Sequence, residues 1–342
     1  MTTQAKSGVK VVFGAMTIGS TGTPLPLKRP RVPNIDDAAA ILDVFQKFGL
    51  NEIDTARGYS NGTSEEYLAE LKWQDRGIVL ATKLSPTANP SPTAYTHKPA
   101  DLRRGIQASL SALKTGQIDL WYLHFPDHHT PYEETLREVN KMYEEGLFRR
   151  FGISNFPAWQ VAQLCEICNR NGWKKPDVYQ GLYSALQRTV EQELFPCLRY
   201  YGIAFYEYNP LAGGMLTDKY QRDMMEWPAG SRFDPVKGAA HYRARYWNDA
   251  YFQALDIIRP VAAKLGISTA EAALRWAKYH SKLRGEAGDA IIVAATSPKQ
   301  LQDNLTSLNN GPLPEEMVKA LDDGWAVARG VAVKPYFRPI PE

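Results

Sequence analysis

The 342-residue chain has little cysteine, little net charge and no long apolar run. Three cysteines cannot build a disulfide framework. The opening stretch, MTTQAKSGVK, lacks the apolar core of a signal peptide, so the expectation is a reducing, cytoplasmic setting. A net charge of +3, from 40 basic and 37 acidic residues, leaves no excess to grip nucleic acid or an anionic membrane. The longest apolar runs, such as AIIVAA at 290–295, fall far short of the ~20 residues a spanning helix needs. Low-complexity linkers and sequence repeats are absent too, so the chain reads as a single domain over residues 1–342.

Metal chemistry has little support. Cys165 and Cys168 form C-x-x-C, but within a helical apolar pattern (Trp159, Ala162, Leu164, Ile167) and without a second pair nearby. Packed thiols fit that setting better than a redox or zinc site. His128 and His129 are adjacent in a loop, which is poor geometry for chelation, and no metal site is expected.

Short apolar runs alternate with longer amphipathic ones. The strand candidates are VVFGA (11–15), NEID (51–54), GIVLATK (77–83), IDLWYLH (118–124), RRFGIS (149–154), DVYQGLY (177–183), IAFYEYN (203–209) and DAIIVAAT (289–296). Most are nearly continuous in apolar residues, as expected of parallel strands covered on both faces. Helical patterns separate them, for example at 36–48, where Ala39, Ile41, Leu42, Phe45 and Phe48 recur at helical spacing. Eight such alternations predict an α/β fold of right-handed crossovers closing as a (β/α)₈ TIM barrel. Two segments after strands, 84–98 and 211–248, exceed the minimal unit. Long loops at the carboxyl ends of barrel strands tend to carry function.

Four polar residues stand at or just beyond consecutive strand ends: Asp54 closing NEID, Tyr59 five residues later, Lys83 closing VLATK and His124 closing LWYLH. In a barrel these positions converge on one mouth. Their chemistry suits carbonyl reduction. A free tyrosine, with a pKa of ~10, is a weak acid, and an adjacent ammonium is expected to lower it. A carboxylate keeps the lysine charged and oriented, and the histidine aims the carbonyl. A hydride donor has to occupy the same mouth.

The stretches EIDTARGYSNGTSEEYL (52–68), ATK (81–83), IDLWYLHFPD (118–127), FGISNF (151–156), VYQGLYSALQR (178–188), FYEYNPLAGGMLTDKY (205–220) and GDAIIVAATSPKQLQDNL (288–305) resemble the aldo-keto reductase superfamily. The branch most similar is that of the aflatoxin-aldehyde reductases, which also reduce succinic semialdehyde. AALRW (272–276) and the terminal PYFR (335–338) point the same way. The resemblance implies NADPH as cofactor, held without a G-x-G-x-x-G turn. It implies Tyr59 as proton donor, tuned by Lys83 and Asp54, with His124 orienting the carbonyl.

By the same resemblance, Ser154, Asn155 and Gln180 hold the carboxamide and Tyr208 stacks on the nicotinamide. Asn209, Leu211, Gly213 and Gly214 run beside the pyrophosphate. Thr296, Gln300, Asp303 and Asn304 hold the adenosine end. Thr296-Ser297-Pro298 reads independently as a helix start, where backbone N–H groups favour phosphate, with Lys299 adding positive charge. A homodimer is implied by the branch alone. The superfamily also contains potassium-channel β-subunits, which keep the barrel and cofactor but act largely as partners. A cofactor-binding regulatory subunit is therefore the alternative to an enzyme.

Some positions depart from the pattern. Glu207 stands where a small residue is expected, and strand alternation turns it away from the cofactor, toward the helices. Arg57 and Gly58 replace more apolar residues, and Arg57 is a candidate for substrate contact. The segment 21–33, rich in proline and basic residues, reads as a loop at the mouth or a surface insertion. The resemblance to the aflatoxin-aldehyde reductase branch implies that Arg232, in the long segment after the seventh strand, and Arg338, in the terminal PYFR, bind a carboxylate on the substrate's far end, which a guanidinium can match with two parallel hydrogen bonds.

Overall fold

A computed structural model describes residues 8–20, 31–86, 94–227, 231–236 and 240–333. Its strands are β1 (Lys10–Gly14), β2 (Glu52–Asp54), β3 (Val79–Leu84), β4 (Ile118–Leu123), β5 (Phe148–Ser154), β6 (Val178–Leu182), β7 (Ala204–Tyr208) and β8 (Ala290–Val293). They pair in parallel and in sequence order, and β8 closes on β1 through Lys10↔Ala290 to Phe13↔Val293. The predicted eight-stranded barrel is therefore the observed one.

Helices α1 (Ile35–Lys47), α2 (Thr63–Glu70), α3 (Pro99–Leu113), α4 (Tyr132–Glu144), α5 (Ala158–Asn171) and α6 (Leu194–Tyr201) each follow one strand. After β7 come α7 (Ala240–Tyr246), α8 (Asp249–Lys264) and α9 (Thr269–Arg275), and after β8 come α10 (Pro298–Asn309) and α11 (Glu315–Ala328). Helix α11 packs along α8. Side-chain caps start several of these helices, as where Asn34 accepts from the Asp36 N–H and Ser297 from that of Gln300. Among the described residues no helix is long and apolar enough to cross a membrane.

Side chains alternate along each strand and build two cores. Phe13, Trp121, Phe148 and Phe205 face the helices. Val12, Leu120, Tyr122, Val178, Tyr206 and Ile292 fill the barrel. Near the amino-terminal end of the barrel, Arg150 reaches from β5 to Glu52 (3.0 Å), Asp119 (2.5 Å) and the Tyr206 hydroxyl (3.2 Å). Those charges and the Tyr206 hydroxyl come from four strands and tie them together, the kind of role expected at that end.

Part of the 211–248 segment is helical, contrary to its reading as a plain loop. Helix α7 buries Tyr242, Arg245 and Tyr246, with Tyr242 and Tyr246 one turn apart. Seven residues are too few for a 3.6-residue apolar pattern to stand out.

Glu207 points to the helix side, as alternation requires, and is wholly buried. Neither carboxylate oxygen has a hydrogen-bond partner among the described residues. Burial drives its pKa well above the ordinary glutamate value. The sign of the consequence follows from linkage. The folded chain holds a proton that the unfolded chain releases above its own pKa of ~4.3, so stability falls as pH rises from there toward the folded pKa. Glu207→Met, of similar length and apolar, is expected to be more stable than the parent at pH 8, by about 2 °C in Tm per kcal/mol recovered. The gap should close toward pH 5. Thermal melts across that range test it, and a parent that stays equally stable from pH 5 to 8 refutes it.

Candidate active site

The carboxyl ends of β2, β3 and β4 lie side by side, with Asp54 opposite Ala81 and Lys83 opposite Tyr122. Inward alternation aims Asp54 and Lys83 at each other. The Lys83 ammonium donates to Asp54 Oδ1 at 2.5 Å and to the Thr55 carbonyl at 2.7 Å. Gln180 of β6 donates to Asp54 Oδ2 at 2.8 Å. Lys83 is fully buried and Asp54 nearly so. Burial pushes the Asp54 carboxyl up and the Lys83 ammonium down, and their mutual attraction opposes both shifts.

The Tyr59 ring centre is 5.1 Å from the Lys83 ammonium, and the His124 ring meets it edge-on at 5.8 Å. The sequence therefore identifies four residues that the fold does bring together. One expectation about them is corrected. Tyr59 is raised well above the ordinary tyrosine pKa, not lowered, first by burial and then by the Asp54 carboxylate. The Lys83 charge is already matched by Asp54, so little of it remains to favour a phenolate in the resting site.

The cavity above these residues runs across the mouth. Asp54, Tyr59 and His124 line it, and Lys83 lies beneath. Ser154, Asn155, Gln180, Tyr208, Asn209, Leu211, Gly213, Gly214, Thr296, Gln300 and Asn304 line the same cavity. Asn155 ties three strands at its edge. Its amide donates to the His124 carbonyl (3.0 Å) and Ser154 Oγ (2.8 Å), and its oxygen accepts from the Tyr208 hydroxyl (2.9 Å). Asp303 departs from expectation. It is not among the residues lining the cavity, and its carboxylate pairs with Lys299 on the exposed face of α10 (2.9 Å). That pair at i, i+4 is the ordinary outcome for opposite charges on a helix surface.

The cavity wall fits a dinucleotide. Asn155, Asn209 and Ala212 adopt positive φ, and Gly213 does so at φ +70°, where an added Cβ would lie 2.5 Å from the Tyr242 ring. Only a backbone without a side chain passes there, and the amides of Ala212, Gly214 and Met215 donate within the turn, to the carbonyls of Asn209, Leu211 and Ala212. Thr296 and Gln300 sit at the start of α10, with the Thr296 N–H donating to Gln300 Oε1 at 2.8 Å.

Arginines stand in the cavity wall. Arg31, Arg232 and Arg245 all line the cavity, with Tyr242 between. The Arg232 guanidinium lies 4.9 Å from the Tyr242 ring and that of Arg245 5.9 Å. Arg31 and Arg245 escaped the sequence reading. The available signal was Tyr242, Arg245 and Tyr246 at i, i+3 and i+4. Arg31 ends the basic 21–33 segment, whose last residues return to the mouth through the Val32 N–H and the Thr17 carbonyl (2.9 Å). Residues 21–30 and Arg338 lie outside the described residues. Arg57 turns its guanidinium toward Glu65 at 2.5 Å.

Cys165 and Cys168 are buried thiols, both pushed up to about 12, first by burial. Among the described residues no group of three or more His, Cys, Asp or Glu could hold a metal ion.

A family model for the aldo/keto reductase family matches residues 10–326. The chain is 54% identical to an aldo-keto reductase of Pseudocercospora fijiensis over 87% of this chain and 100% of that one. It is 41% identical to aflatoxin B1 aldehyde reductase member 4 of Homo sapiens, over 92% and 93% of the two chains. A glycerol dehydrogenase structure from Gluconobacter oxydans shares the fold at TM-score 0.72 and 24% identity, covering 99% of this chain and 100% of that one.

The buried pair at the floor yields a prediction independent of turnover. Asp54→Leu leaves the Lys83 ammonium buried without its anion and is expected to cost ~3–5 kcal/mol of stability. Adding Lys83→Met should restore most of it. Denaturant unfolding of the single and double variants measures both. An Asp54→Leu protein as stable as the parent rules out a charged pair.

Proposed function

The chain belongs to the aldo/keto reductase family, and from that premise we propose that it reduces aldehydes to alcohols with NADPH, using Tyr59 as proton donor. The observation that carries the reading is the Tyr59–Lys83–Asp54–His124 cluster at the floor of a cavity whose lining extends from His124 to Thr296, Gln300 and Asn304 at the start of α10.

Ser154, Asn155 and Gln180 would hold the carboxamide, and Tyr208 would offer its ring to the nicotinamide. Asn209, Leu211, Gly213 and Gly214 would hold the pyrophosphate, with Thr296, Gln300 and Asn304 at the adenosine end. Bound NADPH supplies the hydride. The remaining chemistry is the chain's own. His124 and the Tyr59 hydroxyl both face the place where a carbonyl oxygen must sit. As negative charge builds on that oxygen, two preset donors stabilise it. Because its pKa is raised, Tyr59 stays protonated at neutral pH and so always has a proton to give. When it gives that proton, the new phenolate faces the Lys83 ammonium across 5.1 Å, measured from its ring centre. The ammonium is held in place by Asp54 and the Thr55 carbonyl. Three free thiols suit the reducing cytoplasm as its place of work.

The arginines in the cavity wall support a substrate class, aldehydes that carry a carboxylate away from the reacting end. Arg232 lines the cavity along with Arg31 and the buried Arg245, and its charge is felt at Tyr59. A charge-assisted bond contributes ~1.5–3 kcal/mol.

Purified protein should oxidise NADPH with aldehydes, at higher kcat/KM than NADH. Tyr59→Phe should lose at least ~100-fold in kcat while still binding NADPH. Near-normal turnover by that variant removes Tyr59 as donor. Equal use of both cofactors removes the NADPH assignment.

The substrate class has its own test. Arg232→Met should lose roughly 10- to 150-fold in kcat/KM for an acidic semialdehyde and little for a neutral aldehyde of equal length. An equal loss for both, with a raised KM for NADPH, assigns the arginine to the cofactor's phosphates instead.

A further inference from the structure

The loop carrying Tyr59 enters α2 through backbone that most residues avoid. Ser60, Asn61 and Gly62 have φ of 47°, 55° and 99°. Left-handed residues in succession persist only where their surroundings over-determine them. Part of the hold is local. Ser60 Oγ donates to the Ile18 carbonyl at 3.1 Å, and Thr63 Oγ1 donates to the Ser60 carbonyl at 2.8 Å. These bonds tie the loop to its own ends and to the β1 side. They do not tie it to β3, where Lys83 sits.

Arg57 makes that connection twice. Its backbone N–H donates to the Lys83 carbonyl at 3.0 Å, continuing the β2–β3 pairing past the end of β2. Its guanidinium donates to Glu65 Oε2 at 2.5 Å and to the Ala108 carbonyl of α3 at 3.3 Å. The other Glu65 oxygen accepts from Thr82, the β3 neighbour of Lys83, at 2.6 Å. Both members of the ion pair are withdrawn from water, with side chains 16% and 0% exposed. A carboxylate so enclosed depends on its cation. The guanidinium also lies across the strained turn itself, since a Cβ on Gly62 would fall 1.7 Å from Arg57 Nη2.

We propose that Arg57 is a positioning residue: the Arg57–Glu65 pair clamps the 57–62 loop against β3 and sets the approach of the Tyr59 hydroxyl to Lys83. The proposal rests on Tyr59 being the proton donor. Arg57 also lines the cavity, but the side-chain hydrogen bonds it makes among the described residues run to Glu65 and α3, which is the role the clamp assigns it. The clamp joins the two halves of the catalytic pair, which the chain supplies from different strands. Small displacements there are costly, since ~1 Å of misplacement can lose ~100-fold in rate.

The test compares Arg57→Met, Arg57→Lys, Glu65→Gln and the Arg57→Met/Glu65→Gln double variant, with Tyr59→Phe alongside. Amide hydrogen exchange over residues 58–63 reports the loop, and kcat and KM with a neutral and an acidic aldehyde report the chemistry. Arg57→Met is expected to speed exchange in 58–63 by at least ~10-fold while the strands stay protected. Its kcat should fall roughly 10- to 100-fold, equally for both aldehydes, with KM for the neutral one and cofactor affinity unchanged. Arg57→Lys keeps a cation beside Glu65 and should recover part of kcat. The double variant should be little worse than Arg57→Met, because both changes break one pair. If Arg57→Met fails to fold, the same directions, smaller in size, must appear in Arg57→Lys and Glu65→Gln.

Unchanged exchange with unchanged kcat overturns the clamp. So does a loss confined to the acidic aldehyde, which would make Arg57 a substrate contact. An active Tyr59→Phe protein fails the proton-donor reading instead, and the exchange result then judges the clamp alone.

Discussion

A lysine ammonium closed off from water has to be matched by an anion, and Asp54 matches Lys83 at 2.5 Å in the floor of this barrel. Burial by itself favours the neutral forms of both, raising the carboxyl and lowering the ammonium. Their attraction, the Thr55 carbonyl and the Gln180 amide together offset that cost. The rest of the mouth is referred to this pair. Tyr59 lies to one side of the ammonium, the Tyr122 ring lies 5.6 Å from it, and Gln180 carries the connection across the barrel to β6.

Such a pair is a poor source of stability and a good source of geometry. It requires a frame that does not relax around it, and the closed sheet provides one. Strand pairing fixes where Asp54 and Lys83 begin, and the helix-facing core of Phe13, Trp121 and Phe205 fixes the strands. At the opposite end, Arg150, Glu52, Asp119 and the Tyr206 hydroxyl link four strands by ion pairs and hydrogen bonds that need no substrate. The mouth, in contrast, collects unfavourable backbone: Ser60, Asn61, Asn155, Asn209 and Ala212 all have positive φ. The well-paired end holds the barrel together, and the strained end faces the cavity.

The barrel was legible because parallel strands buried on both faces are written as short apolar runs, and all eight appear within a few residues of their observed places. The cluster of Asp54, Tyr59, Lys83 and His124 was legible because a barrel converts strand ends into neighbours. Other features were not. Helix α7 is shorter than the window that reveals helical periodicity, so Arg245 and its place at the mouth stayed hidden. Asp303 matched the cofactor pattern by position, yet α10 turns it outward onto Lys299. Arg57 lines the cavity two residues from Tyr59, where a substrate contact could stand. Its ion-pair partner, Glu65, is eight residues away in the chain, and their meeting depends on the turn at Gly62.

By itself, the sequence determined the architecture, the family and the chemical inventory of the site, because apolar periodicity and the identities at strand ends are local properties of the chain. The charge state of that inventory was decided only by the tertiary structure. An ionisation equilibrium depends on how much water a group has lost and which charges stand within a few ångströms, and both are set by segments far apart in the chain. That is why Tyr59 is a phenol held above its ordinary pKa when the sequence argued for one held below. It is also why Glu207, which the sequence marked as out of pattern without showing its surroundings, proves to be a carboxyl group with no hydrogen-bond partner among the described residues.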